Sequence, residues 1–185
     1  MKGILIGLLV VVLVVGVAMA SIYNGIVTKH ETITAKWAQV ENQLQRRSDL
    51  IPNLVNTVKG YAAHEKTVLE DVTNARSRWA AAATLDDKVK AASQMDSAIS
   101  RLLLVVENYP QLKADQTFLQ LMDELSGTEN RIAVERMRYN EAVRDFNVTV
   151  RRFPANIVAG MFGYKPATEY FKAEERAKTV PEVRF

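Results

Sequence analysis

The chain has 185 residues, 24 Lys+Arg against 21 Asp+Glu for a net charge of +3, and no cysteine, which leaves room for one domain of ordinary size plus an anchor. So small a positive excess is no stripe built for phosphates, which argues against nucleic acid as a partner. Without cysteine there are no disulfides, thiolate nucleophiles, iron–sulfur clusters or structural zinc sites of the usual kinds.

Residues 3–27 contain no charged side chain, and residues 4–22 are almost entirely Ile, Leu, Val, Gly, Ala and Met. That run of about 19 residues approaches the ~20 a bilayer core requires, so residues 1–27 are predicted to form a membrane anchor with its transmembrane helix at 4–22. Tyr23 follows at the exit, where an amphipathic ring suits the headgroup level. A cleaved signal peptide competes with this reading, because Ala18-Met19-Ala20 precedes Ser21 with the small residues that signal peptidase prefers. Lys2 on one side and Lys29 and Lys36 on the other leave the orientation nearly balanced, with a lean toward an extracytoplasmic domain. Gly3 with Gly7, and Gly16 with Ala20, have the small-xxx-small spacing that lets membrane helices approach closely.

From residue 28 to 153 the pattern is helical throughout. Ile33, Trp37, Val40, Leu44, Arg47, Ile51, Leu54, Val58 and Tyr61 alternate four and three apart, as coiled-coil-like packing demands. Pro52 lies inside that stripe and predicts a bend or break near Asn53 and Asn56. Shorter helices are expected over residues 64–83 and 86–109, the second capped by Thr84 or Asp86. Tyr109-Pro110 marks the next junction. A last stripe runs through Phe118, Leu121, Leu125, Thr128, Ile132, Glu135, Tyr139, Ala142, Phe146, Thr149 and Phe153. Four helices with short connections predict an all-α fold, an N-terminal transmembrane helix followed by a long antiparallel four-helix bundle.

Counting reversals returns the end of the last helix to the membrane. There, residues 154–165 form an apolar segment preceded by Arg151-Arg152 and closed by Lys165. Tyr23, Phe153, Ile157, Met161, Phe162 and Tyr164 are the candidates for the membrane interface; the competing reading has Ile157, Met161 and Phe162 cap the bundle core. The tail, residues 166–185, is charged, and its terminal Val180-Pro181-Glu182-Val183-Arg184-Phe185 reads either as loosely held or as a strand-like docking motif.

Several strings are similar to those of the bacterial LemA family: Gln45-Arg46-Arg47-Ser48-Asp49-Leu50-Ile51-Pro52-Asn53-Leu54-Val55, Asn108-Tyr109-Pro110, and Thr128-Glu129-Asn130-Arg131-Ile132. Tyr139-Asn140, Asn147, Arg152-Phe153-Pro154 and Met161-Phe162-Gly163-Tyr164 extend the resemblance to the end of the chain, with Pro181, Val183 and Phe185. The resemblance implies a retained transmembrane helix and a long-helix antiparallel bundle. It supplies no biochemical activity.

Polar intrusions into the stripes are the remaining candidates for a special role, since a charge among packed side chains is costly unless paired. Opposing Val58 to Phe118 sets Arg47 near Glu129, with Glu135 within about two turns, so Arg47, Glu129 and Glu135 are the predicted register-setting ion-pair residues. His30 and His64 lack the spacing of a metal site, and no Ser-His-Asp set, P-loop or HExxH is present. No catalytic, cofactor or metal site is therefore expected. The reading is a non-catalytic membrane-anchored scaffold or adaptor that self-assembles or binds another membrane protein; the alternative is a lipid-contacting, bilayer-organising protein.

Overall fold

The structure, a computed structural model, describes residues 2–171. Six helices are found there: α1 (Lys2–Tyr61), α2 (Lys66–Ala81), α3 (Leu85–Val106), α4 (Pro110–Lys113), α5 (Gln116–Arg151) and α6 (Ala155–Met161). The fold is all-α, an N-terminal helix with an apolar start followed by a helical bundle. The expected count of four is corrected, because five helices follow α1. The one-turn α4 arises at Pro110, whose fixed φ suits a first helical position, and α6 begins beyond the Phe153-Pro154 junction, where α5 has ended.

The described residues divide into two compact units, 2–38 with 137–170, and 39–136 with Phe171. α1 and α5 contribute to both.

In the first unit, every large apolar side chain from Ile4 to Val17 is at least half exposed. A bare apolar rod of this length is stable in hydrocarbon and not in water. Since helical backbone groups are paired within the segment itself, the rod can cross a bilayer alone; the chain is a single-pass membrane protein. The helix continues past the span without a linker. Ile26 then meets Phe146, Val150, Val158 and Ala159 in a buried cluster flanked by Met19, Ile22 and Tyr23. Trp37 meets Tyr139 at 5.8 Å and His30 meets Phe146 at 5.6 Å, so α1 and α5 run antiparallel here.

In the second unit, Val40, Leu44, Ile51, Leu54 and Val58 of α1 are buried, as are Phe118, Leu121, Leu125 and Ile132 of α5. As α1 advances from Arg47 to Tyr61, its partners step back from Glu129 on α5 to Asp115 just before it, again antiparallel. α2 adds Leu69, Val72, Ala75 and Trp79 to the core, and α3 adds Met95, Ile99 and Leu102. Thr84 caps α3 by accepting from the Asp87 N–H at 3.1 Å, and Asp115 caps α5 through the Phe118 N–H at 2.9 Å.

Of the bend or break expected at Pro52, the break does not occur: α1 is helical through it. Proline lacks the N–H that would bond the Ser48 carbonyl one turn back. Arg76 of α2 supplies the missing donor, its Nε reaching Ser48 O at 3.1 Å.

Candidate functional site

The first candidate lies in the first unit, where the anchor leaves the span. α5 ends at Arg151, and the chain turns through a cis Phe153-Pro154 bond into α6. Only one side of α6 is buried: Val158 and Ala159 pack on Ile26, Phe146 and Val150. The other side is open, with Phe153 80%, Ile157 54%, Met161 65% and Phe162 56% exposed. This corrects the core-capping reading of Ile157, Met161 and Phe162, since different residues of the segment do the capping.

The end of α6 is shaped by one glycine. Tyr164 N–H donates to Ala159 O at 2.9 Å and Gly163 N–H to Gly160 O at 3.4 Å, the pairing of a Schellman cap. Its C′ residue must enter the left-handed region, and Gly163 has φ +77°, which a side chain would resist. The turn leaves Phe162 outside and brings Tyr164 back in. Tyr164 meets His30 at 5.7 Å, Phe146 at 6.3 Å and Tyr23 at 6.4 Å. Burial first, and the neighbouring Tyr23 second, raise its phenol above the ordinary tyrosine range. Tyr23 also packs against Phe162 with centroids 4.5 Å apart, so α1 and the open face of α6 are in direct contact there.

Beyond α6 the chain is strapped to α5. Asn147 uses its whole amide: Nδ2 donates to Ala167 O at 2.8 Å and to Tyr170 Oη at 3.0 Å, while Oδ1 accepts from Ala167 N–H at 2.7 Å. Tyr139 donates to Glu169 O at 2.9 Å. Burial, reinforced by the Glu169 carboxylate, pushes the Tyr139 phenol up to about 12. The terminal Val180-to-Phe185 motif lies outside the described residues.

The second candidate is a charge cluster in the second unit. Arg47 Nη1 lies 2.6 Å from Asp96 Oδ1 and also meets Glu129 Oε2. Asp96 Oδ2 in turn accepts from Arg136 at 3.1 Å, and the Arg136 guanidinium sits 5.0 Å over the Phe171 ring. Asp96 was not among the sequence candidates, although it bridges both arginines; it lies on α3, and neither long stripe pointed to it. Glu135 is half-buried further along α5. The Nε atoms of Arg47 and Arg136 are buried without a hydrogen bond, so the cluster is held by charge more than by complete hydrogen bonding.

Among the described residues, nothing packs against the small residues of the span. A Cβ at Gly3, Gly7 or Gly16 would encounter open space, and Ala20 is exposed. Among the described residues no group of three or more His, Asp or Glu could hold a metal ion. The groove lined by Asp71, Arg78, Gln94 and Arg101 has its charges already engaged: Arg101 pairs with Asp71 at 3.4 Å and Arg78 donates to Gln94 at 3.2 Å.

The family model of LemA matches residues 36–185. The protein belongs to the LemA family. It is 29% identical to magnetosome protein MamQ 2 of Paramagnetospirillum magneticum, a match covering 85% of this chain and 67% of that relative. It is 26% identical to magnetosome protein MamQ of Magnetospirillum gryphiswaldense over the same shares. Protein LemA of Metamycoplasma hominis is 32% identical over 62% of this chain and 53% of its own length. In this LemA-family chain, the strings that carry the resemblance hold structural devices. Arg47-to-Pro52 contains the charge cluster's hub and the Ser48 carbonyl that Arg76 caps, and Met161-Phe162-Gly163-Tyr164 is the α6 cap.

Proposed function

We propose that this LemA-family protein is a non-catalytic, membrane-anchored helical scaffold or adaptor that assembles with itself or with another membrane protein. The observation that supports it is the seam of the first unit: the span passes into a packed aromatic junction within a single helix, so the exit segment is held rigidly to the anchor. A tether for a diffusing enzyme needs no such stiffness, whereas a scaffold does. MamQ relatives are named as proteins of the magnetosome, a setting that suits a membrane scaffold.

The long stripes of α1 and α5 are largely covered by the chain itself, exposed mainly at the ends, Tyr61 and Phe153. Assembly is therefore assigned to the span, where Gly3, Gly7, Gly16 and Ala20 permit close helix approach. Crosslinking in nanodiscs at increasing protein-to-lipid ratio tests this. Oligomers that weaken on Gly16→Leu support it, and a chain that stays monomeric and captures no membrane protein under mild detergent overturns it.

The second reading, a lipid-contacting role for the anchor together with residues 157–164, is favoured by the bare outer side of α6.

A further inference from the structure

We infer that Phe153 and α6 form a foot seated in the headgroup layer of the leaflet into which the anchor emerges, and that it takes anionic phospholipid. This rests on the lipid-contacting reading and adds the class of lipid and the residues that select it.

Position carries the first step. Tyr23 follows directly on the span, at headgroup level, and it touches Phe162. The exposed Phe153, Ile157, Met161 and Phe162 therefore belong to the stratum that suits Tyr23. In water four large apolar side chains in so short a segment would be an unpartnered patch. At the headgroup boundary they are the apolar half of an interfacial element. Val158 and Ala159 fix which side of α6 is turned inward, so the foot is preformed.

Charge carries the second step. Residues 151–165 contain Arg151, Arg152 and Lys165 and no acidic residue, and all three cations are exposed. None of them has an ion pair among those resolved for the described residues. Glu31 is the first acidic residue of α1 and raises the Tyr164 phenol slightly, and Lys29 stands two residues before it. Cations bracketing an apolar segment suit phosphates at the surface and acyl chains beneath it.

The experiment uses the full chain in nanodiscs, with single cysteines at Ile157 and Met161 carrying a spin label; the native chain has no cysteine to interfere. Accessibility to oxygen and to a water-soluble nickel chelate is compared in phosphatidylcholine and in mixtures with phosphatidylglycerol. Thermal melts of every variant establish that it is folded. The expected result is oxygen-rich, chelate-poor labels whose chelate accessibility falls several-fold when phosphatidylglycerol is added, and the loss of that fall in Arg151→Gln/Arg152→Gln/Lys165→Gln. Labels equally immersed in both lipids, and unmoved by the triple change, overturn the anionic selectivity alone. Labels that stay aqueous in both overturn the lipid-contacting reading itself. Labels shielded from both reagents identify a protein neighbour as the occupant and overturn the inference.

Discussion

Asp96 shows how one side chain can decide whether a charge cluster stabilises a fold. Its carboxylate is 14% exposed and joins Arg47 to Arg136, while Glu129 is 50% exposed and meets Arg47 alone among the described residues. Removing a buried partner strands the opposite charge, whereas removing a solvated one does not. Asp96→Ala is therefore expected to destabilise by about 3 kcal/mol, and Glu129→Ala by about 1 kcal/mol or less. Double-mutant cycles with Arg47→Ala, read by denaturant unfolding, check this: the Arg47–Asp96 coupling should exceed the Arg47–Glu129 coupling. Tyr139 makes a prediction in pH. Its phenol is raised to about 12 in the folded chain, above the ordinary value near 10, so folding favours the protonated form. That contribution is fully present below about pH 10 and is lost as pH rises toward 12. Stability in an alkaline titration should decline across this window, and Tyr139→Phe should flatten the decline while costing about 1 kcal/mol at neutral pH for the lost bond to Glu169 O.

The long helices were legible in the sequence because a four-three alternation admits one fold of the backbone. Val40, Leu44, Ile51, Leu54 and Val58 are buried at the positions that rhythm assigns. Three features were illegible. α4 is a single turn, too short to show a period, and Asp96 is polar on a helix whose apolar face gave it no distinction. At Pro52, local reasoning predicts a bend or break because it counts the lost N–H but has no view of α2, the helix that replaces it. Ser48 O receives Arg76 Nε where the proline donates nothing. This makes the two residues a coupled pair between elements. Arg76→Ala should cost roughly 1–3 kcal/mol by leaving a carbonyl unsatisfied. In a Pro52→Ala background the cost should shrink, since the alanine N–H can bond Ser48 O within α1. Thermal melts of the four chains measure the difference, and equal costs in both backgrounds would remove the coupling.

For the whole molecule, the span settles that the chain crosses one bilayer, but its flanking charges are too balanced to settle which side receives the rest. We expect an extracytoplasmic location. A cysteine at Ala80, exposed on α2, should react with a membrane-impermeant maleimide in intact cells; protection until lysis would place it in the cytoplasm. α1 constrains any device that acts through this protein. Between Ser21 and Ile26 there is no hinge to absorb an error in winding, so one residue inserted there would swing everything upstream about 100° in azimuth and lengthen the rod by about 1.5 Å. The lipid-facing half would keep its greasiness and lose its heading, and neighbours that read the heading would no longer find it.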